Sequence, residues 1–307
     1  MDSNTEIREF LASRRARLRP EEAGIPTYGT HRRVPGLRRE EVAILAGVSV
    51  DYYTRLERGN LRGTSEGVLN ALARALHLDE AERTHLFDLA RAANESGISN
   101  RRRTASQRVR PSVQRILDAM VGAPAWVRNP CHDFLAANQL GYALYSEMFT
   151  DPVRPANNAR FVFLNPRSQE FFADWEQAAN DIVAILRSEA GHNPYDRALT
   201  DLIGELSTRS ETFRTKWAAH NVRFHRTGRK QLHHPIVGDL DLAYEAMELP
   251  GEDLTVLVYT AEAGSASQDA LNLLASWVAT VDKSASIGTE GASDQAVRPA
   301  HGAESPQ

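Results

Sequence analysis

The hydrophobic residues in the N-terminal part of the chain recur every three to four positions, the period of an α-helix that buries one face. Ile7, Phe10 and Leu11 form such a stripe and predict a first helix over 4–17. Ser65 is placed to cap another helix, and a further one is predicted over 79–92. The pattern therefore predicts an all-α unit in this part of the chain.

A closely spaced pair of helices is predicted between these elements. The apolar side of the first helix, over 38–46, consists of Val42, Ala43, Leu45 and Ala46. Gly47 follows where the turn requires a left-handed backbone, which glycine adopts without steric cost. Ser49 is a natural N-cap for the second helix, over 50–58, and Gly59 ends it. This spacing is typical of a helix-turn-helix motif whose second helix enters the major groove of DNA.

The second helix of the motif has a buried face and an exposed face. Tyr53 and Leu56, spaced three apart, are predicted to be buried. Glu57 is acidic in a basic region, so we expect it to hold a neighbouring arginine rather than to contact a base. In this motif the N-terminal residues of the second helix face the base edges. The candidate base-reading residues are Ser49, Val50, Asp51, Thr54 and Arg55.

Charge is distributed unevenly along the chain, although the formal net charge is only −4. Residues 1–110 contain 20 Lys+Arg and 15 Asp+Glu, whereas residues 111–307 contain 16 Lys+Arg and 25 Asp+Glu. A basic N-terminal part followed by an acidic part suits a unit that contacts phosphate joined to one that does not. The candidate phosphate contacts are Arg32, Arg33, Arg38, Arg39, Arg58 and Arg62.

The pattern changes after a polar linker predicted over 96–110. Helices are predicted over 113–120, 171–188, 193–206 and 210–220, strands within 222–234, 235–249 and 254–262, and a final helix over 267–281. The apolar run 161–164 fits either a strand or a buried helix. Helices followed by a run of strands indicate an α+β domain over 111–283. Residues 284–307 are rich in Ala, Ser and Gly, have too few apolar residues to order themselves, and are predicted to be a disordered tail.

The segment 33–59 resembles the DNA-binding domain of the XRE/Cro-like bacterial regulators. The rest of the chain is similar to the branch of these regulators that carries an MmyB-like ligand-binding domain. This second resemblance rests on residues 124–129, 134–141, 210–222, 233–249 and 254–262. The resemblance implies a five-helix DNA-binding domain over 1–95, with Ser49, Val50, Asp51 and Arg55 at base-reading positions. It also implies a PAS-like C-terminal domain that can hold a fatty-acid-like molecule.

A pocket for an acyl chain requires an apolar wall and one or two polar groups that fix the headgroup. The C-terminal half contains more aromatic residues than a small sheet needs. The candidate ligand-binding residues are Trp126, Phe161, Phe163, Phe213 and Trp217 for the wall, and Asn129, Asn138, Arg187 and His225 for the headgroup.

Two alternatives for the C-terminal half remain open. It could be a ligand-free platform for dimerisation or a partner protein, or a metal-responsive unit that uses the histidines of 220–234. Those histidines lack the spacing of hydrolytic zinc sites, and Cys131 and His132 are adjacent, so a strand would point them to opposite faces. We therefore expect no enzyme activity, no metal site and no cofactor.

The composition limits the setting in which the protein acts. Residues 1–20 are polar and basic, so we expect no secretory signal, and no apolar run approaches the roughly 20 residues of a membrane span. A single cysteine suits a reducing compartment. The sequence thus predicts a cytoplasmic transcription regulator. Its expected partners are double-stranded DNA, an apolar fatty-acid-like effector and a second copy in a homodimer, with no membrane contact.

Overall fold

The computed structural model describes residues 3–25, 34–94, 108–219 and 227–293, with only the backbone course for 281–293. In the N-terminal part the described residues form the helices α1 (Ser3–Arg17), α2 (Arg39–Ala46), α3 (Val50–Glu57), α4 (Glu66–Ala75) and α5 (Glu80–Asn94). One buried cluster joins the five, with Phe10, Val42, Tyr53, Leu72 and Leu86 among its members. The all-α prediction for this domain is confirmed.

The turn between α2 and α3 has the backbone that the motif requires. Gly47 has a φ of 66°, and its N–H bonds the carbonyl groups at the end of α2. The Ser49 Oγ accepts a hydrogen bond from the Tyr52 N–H at 3.1 Å, which caps α3. Leu45, predicted on the apolar side of α2, is exposed, because the face that meets the other helices is formed by Val42, Ala43 and Ala46.

The C-terminal part combines helices with one sheet. Its described elements are α6 (Pro111–Ala119), β1 (Ala125–Arg128), β2 (Phe134–Ala137), α7 (Gln139–Leu144), a 3-10 turn (Ser146–Thr150), α8 (Asn158–Leu164), α9 (Arg167–Phe171), α10 (Trp175–His192), α11 (Arg197–Arg209), α12 (Glu211–Ala218), β3 (Thr227–His234), β4 (Gly238–Glu248), β5 (Thr255–Thr260) and α13 (Ala266–Ser293). The α+β prediction is confirmed.

The sheet is antiparallel with the strand order β2-β1-β5-β4-β3. Alternate residues face opposite sides of a strand, so β1 and β5 divide between two cores. Trp126, Leu257 and Tyr244 belong to the large core that includes residues of α8, α10, α11 and α12. Val127 and Val256 face the other side and pack in a smaller cluster with Val113 and Leu117 of α6.

Three sequence predictions for this domain require correction or completion. The helix predicted over 171–188 starts later, at Trp175, because Phe172 forms a bridge with Leu232 and Asp174 caps α10. The ambiguous run 161–164 is helical and lies in α8. The final helix does not end before residue 284 but continues to Ser293, since a helix that is anchored in the core can propagate through alanine- and serine-rich sequence.

Several predictions fall on residues outside the described ranges. These are the phosphate candidates Arg32 and Arg33, the headgroup candidate His225, the neighbouring His220, and most of the linker predicted over 96–110. Among the described residues, no helix combines the length and the apolar character needed to cross a membrane.

Candidate DNA-binding surface and candidate effector site

The base-reading candidates lie on the outer side of the helix-turn-helix. Ser49, Val50, Asp51 and Arg55 are exposed, and Thr54 is half-buried. On the opposite side of α3, Tyr53 and Leu56 are fully buried in the core of the domain. The helix therefore presents a polar face to solvent while its apolar face fixes its position.

The guanidinium of Arg55 has a defined neighbour on the same helix. Its Cζ lies 4.7 Å from the centre of the Tyr52 ring, within the range of a cation–π interaction. The ring limits the conformations of a side chain that would otherwise be free. Arg55 is exposed, and its guanidinium carries the N–H donors that bidentate contact with a base requires.

Glu57 holds two arginines from other helices. Arg15 of α1 contacts Glu57 Oε1 through its Nη2 at 2.7 Å, and Arg39 of α2 contacts Oε2 through its Nε at 3.0 Å. Arg15 Nη1 also donates to the carbonyl of Leu37 at 2.9 Å. The buried carboxylate thus ties the end of α3 to α1 and α2, in agreement with its expected internal role. Arg39 remains half exposed beside it.

The other phosphate candidates that the structure describes are exposed. Arg38, just before α2, has its Nη1 3.4 Å from Glu40 Oε1 and stays open to solvent. Arg58 and Arg62 lie after α3 and line a small depression together with Asn60. The depression also includes Asn4 of α1 and Tyr195 of the C-terminal part.

The aromatic wall candidates lie in the core of the C-terminal domain, where Phe163 is partly buried and the others are buried. The Phe163 ring meets the Phe213 ring edge-on at 5.0 Å between centroids, and Phe213 stacks on Trp217 at 5.5 Å. Trp126 belongs to a second group, stacked on Phe134 at 4.5 Å, and its buried Nε1–H has no hydrogen-bond partner among the described residues. The core therefore contains two aromatic groups rather than one continuous wall.

Two of the headgroup candidates have structural roles in loops. Asn138 caps α7: its Oδ1 accepts from the N–H groups of Ala125 and Gly141, and its Nδ2 donates to two carbonyls. Asn129 exchanges two hydrogen bonds of 2.9 Å with Asp133. These hydrogen bonds occupy both side chains, which leaves little capacity for a ligand.

Arg187, the third headgroup candidate, lies between the two domains. From α10 its guanidinium pairs with Glu6 of α1, donates to the Trp217 carbonyl, and lies 4.1 Å from the Trp217 ring centre. Both Arg187 and Glu6 are buried. Burial lowers the pKa of Arg187, and the Glu6 carboxylate opposes this effect by stabilising the charged form. The side chain therefore connects the aromatic core to the DNA-binding domain.

Further contacts between α5 and α10 complete this domain interface. The fully buried His85 lies 3.7 Å from Glu6, and burial lowers its pKa. Its ring occupies the space above Gly191, where a Cβ atom would clash. Nearby, Asp88 is 3.5 Å from His192 and raises the pKa of that imidazole through a hydrogen bond.

The described histidines of 220–234 do not converge. His233 pairs with Asp239 at 2.5 Å on the exposed side of β3, and the buried His234 is hydrogen-bonded to the Ala143 carbonyl at 3.0 Å. In the described part of the chain, no group of three or more histidine, cysteine, aspartate or glutamate side chains is placed to hold a metal ion.

Sequence reasoning missed most of the domain interface. Glu6, His85, Asp88 and His192 carried no motif, and Glu6 and Arg187 are 181 positions apart. The one available signal was the placement of Glu6 beside Ile7 on the core side of α1, where an acidic residue needs a partner.

The fold and the exposed face of α3 define a helix-turn-helix protein with a second, α+β domain. The family model for a helix-turn-helix domain matches residues 6–86, and the model for the MmyB-like transcription regulator ligand binding domain matches residues 109–274. The second match covers more than half of the chain, which therefore belongs to the MmyB-like transcription regulators. It is a DNA-binding transcription regulator with a ligand-binding domain. A comparison with curated proteins gives no match.

Proposed function

We propose that this regulator binds a specific DNA sequence as a homodimer in the cytoplasm and responds to an apolar, acyl-chain-like effector. The observation that carries the proposal is the chain of contacts from the aromatic core through Trp217 and Arg187 to Glu6 on α1. It gives the ligand-binding domain a direct connection to the helix that supports α3.

Base recognition is assigned to the exposed residues of α3. Arg55 would bind guanine through two hydrogen bonds, Asp51 would accept from the amino group of cytosine, and Val50 would contact a thymine methyl group. Ser49 and Thr54 complete the set with their hydroxyl groups. Support comes from the exposure of this face and from the Glu57 contacts that hold the helix end.

Phosphate contact is assigned to the arginines around this face. Arg38, Arg39, Arg58 and Arg62 are exposed or half-exposed, and Arg32 and Arg33 precede them in the sequence. These contacts would supply affinity and register without sequence information.

The acyl chain is assigned to the core between the sheet and the helices. Phe163, Phe213 and Trp217 would form one side of its wall, and Trp126 and Phe161, from the other aromatic group, would form the second side. The headgroup then needs partners other than Asn129 and Asn138, because the side-chain amides of both residues are already hydrogen-bonded within the protein. The unpartnered Nε1–H of Trp126 would gain an acceptor from the ligand, which offsets the cost of its burial without one.

The coupling between effector and DNA would run through α1. The Gly59 that follows α3 packs directly against the backbone of Asn4, and Arg15 contacts Glu57. A ligand that displaces Trp217 would change the environment of Arg187 and hence of Glu6. Glu6 lies on α1 together with Asn4 and Arg15, which make the two contacts with the end of α3. It would shift DNA affinity only by its differential affinity for the two arrangements.

The homodimer is assigned to the C-terminal half. On α13, Leu273 is 59% exposed and Trp277 is 43% exposed, one helical turn apart on the same side. Pairing two such helices would bury both side chains and place two copies of α3 on a palindromic site, about one turn of DNA apart. Replacing both residues with serine should convert the dimer to a monomer in analytical ultracentrifugation. A monomeric wild-type chain would contradict the assignment.

The decisive experiment selects DNA from a random pool with the full chain, with and without a mixture of long-chain saturated fatty acids. We expect a palindromic site whose affinity changes when the fatty acids are present. Failure to enrich any site would contradict sequence-specific binding. An enriched site whose affinity does not change with the fatty acids would support the DNA-binding part of the proposal. It would favour a C-terminal domain that is a ligand-free platform for dimerisation or a partner protein.

A zinc arm of the same selection addresses the metal-responsive alternative. A zinc-dependent shift in affinity that disappears in a His233→Ala, His234→Ala double variant would support that alternative and count against the acyl effector.

A further inference from the structure

A half-open cleft of about 660 Å³ lies between the two domains, apart from the aromatic core. One wall is α5 of the DNA-binding domain, through Asp88 and Arg91. The other consists of the end of α10 and the end of the sheet with the turn that joins β4 to β5. Its size is within the range of small-molecule sites, which occur preferentially at domain interfaces.

The floor of the cleft is a row of three residues across the sheet. Arg128 of β1 pairs with Thr255 of β5, and Thr255 pairs with Glu248 of β4. Directly paired residues point to the same face, so a guanidinium, a hydroxyl and a carboxylate lie side by side. The backbones of the outer two are about 10 Å apart, since neighbouring strands are separated by about 4.8 Å.

Arg128 is buried yet weakly paired. It is only 7% exposed, and its one hydrogen bond among the described residues goes from Nη1 to the Asn129 carbonyl at 3.4 Å. The nearest carboxylate oxygen, Glu189 Oε1, is 3.9 Å away, beyond hydrogen-bond distance. A guanidinium has five N–H donors, so most of them are open to a ligand in the cleft. Burial lowers the pKa of Arg128 and raises the pKa of Glu189, as expected for a pair that lacks strong partners.

The acidic residues of the cleft divide into two groups. Asp88 and Glu252 are occupied, by Arg91 at 3.0 Å and by Arg110 at 2.7 Å respectively, and Asp253, which also lines the cleft, has an interaction of its own. Glu189 has only its loose contact with Arg128, and Glu248 forms no ion pair within the described part of the chain. The open groups are thus one guanidinium flanked by two carboxylates.

We propose that this cleft binds a small zwitterion of amino-acid size, with its carboxylate on Arg128 and its ammonium group between Glu189 and Glu248. A simple anion on Arg128 would face two carboxylates, and a simple cation at the carboxylates would face the guanidinium. A zwitterion places each pole opposite its complement and allows the bidentate carboxylate contact that arginine favours.

Occupation of the cleft would act on the arrangement of the domains. The ligand would lie between α5 and the sheet, beside the Asp88 and His192 contact. The regulator would then have a second input, separate from the acyl site and independent of whether that site is occupied.

The test is isothermal titration calorimetry of the full chain with each standard L-amino acid in turn. We expect saturable binding of at least one. The same compound without its amino group, and without its carboxyl group, should bind at least tenfold more weakly. Absence of saturable binding across the series would overturn the proposal, as would equal binding of the deaminated acid.

Variants link the binding to the cleft. Glu248→Gln should weaken it at least tenfold, whereas Glu245→Gln, the same change on the opposite face of β4, should leave it unchanged. Arg128→Gln should abolish binding, provided that a cooperative unfolding transition shows that this variant is folded. If Arg128→Gln does not fold, Glu248→Gln still tests the proposal. Wild-type affinity in Glu248→Gln would overturn the assignment, and so would unaltered binding in a folded Arg128→Gln.

Discussion

Two buried carboxylates, Glu57 and Glu6, use the same chemistry in different places. Each accepts contacts from arginine on another element. Glu57 joins α1, α2 and α3 inside the DNA-binding domain, so its contacts fix the shape of the DNA-reading surface. Glu6 joins α1 to α10 across the domain interface, so its contact depends on how the two domains are arranged.

The difference shows how a rigid surface can respond to a distant domain. The Arg15 that holds Glu57 and the Glu6 that meets Arg187 are both on α1. This helix packs against α3 and α5. A movement of the interface therefore need not deform the recognition motif, because it can be transmitted by displacement of one intact helix.

Substitution at the domain interface should have the largest effect on stability. Arg187→Met leaves the Glu6 carboxylate buried without its charge partner, and the expected loss in the free energy of unfolding is about 3–5 kcal/mol. Glu6→Gln should behave similarly. Urea unfolding measures both, with Arg197→Met on the exposed side of α11 as the control that should change little.

The double variant Glu6→Gln, Arg187→Met separates a specific pair from general disruption. It should lose less than the sum of the single variants, by at least about 1 kcal/mol, because each single change removes the opposite charge from one buried member of the pair. Strictly additive losses would show that the two side chains are not coupled. In the proposed mechanism the double variant also binds DNA without a response to fatty acids.

Glu57→Gln should destabilise the DNA-binding domain by a smaller amount. Arg15 and Arg39 would keep partial access to solvent. The expected loss in the free energy of unfolding is therefore about 3 kcal/mol, the lower end of the range for breaking a buried ion pair. DNA affinity should fall as well, because the end of α3 loses its anchor. Glu40→Gln on the exposed start of α2 is the matched control. A wild-type unfolding curve for Glu57→Gln would contradict the structural role of this carboxylate.

Arg55→Ala should change which DNA is bound rather than how stable the protein is. The expected cost is about 1–3 kcal/mol at one base position, with relaxed specificity there. Competition binding to single-base variants of the selected site measures it. Uniform weakening across all sequences would reassign Arg55 to phosphate contact.

Arg62→Ala addresses an exposed arginine that neither carboxylate holds. Binding should weaken for all sequences, and the slope of log affinity against log salt should decrease by about one. An unchanged slope would remove Arg62 from the phosphate contacts.

The smallest expected effect is a pH dependence at the domain interface. The Asp88 contact raises the pKa of His192, so its contribution is present below the ordinary histidine pKa of about 6.5 and is lost as the pH rises through the raised value. His85 acts in the opposite direction, because burial lowers its pKa and protonation below about pH 6.5 opposes folding.

The advantage of the wild-type chain over His192→Gln should therefore shrink between about pH 6 and pH 8. Asp88→Asn removes the same contact and should show the same trend in thermal unfolding. A difference that grows with pH would contradict the assignment.

Local features of the sequence were sufficient to predict the helix-turn-helix. Gly47 and Ser49 determine the turn and the cap through their own backbone and side-chain chemistry, and each acts within a few residues. The strands β4 and β5 were likewise predictable from their apolar pattern and length. The run 161–164 stayed ambiguous because a short apolar segment satisfies a strand and a buried helix equally well.

The candidate sites were harder to predict because they depend on tertiary contacts. Arg187 has the charged group expected of a residue that binds a ligand headgroup, but its partner Glu6 comes from the other end of the chain. Asn138 has the same hydrogen-bonding groups whether it meets a ligand or caps a helix, and only the fold brings the carbonyls of 120 and 123 to it. Arg128 and Glu248 carry no motif until the sheet aligns them.

The fit between His85 and Gly191 has a consequence for how such regulators can diverge. Because the imidazole leaves no room for a side chain at position 191, a larger residue there could be accepted only together with a smaller one at position 85. A chimera that joins this DNA-binding domain to another regulator's second domain would therefore need a residue at position 191 that leaves room for the His85 ring.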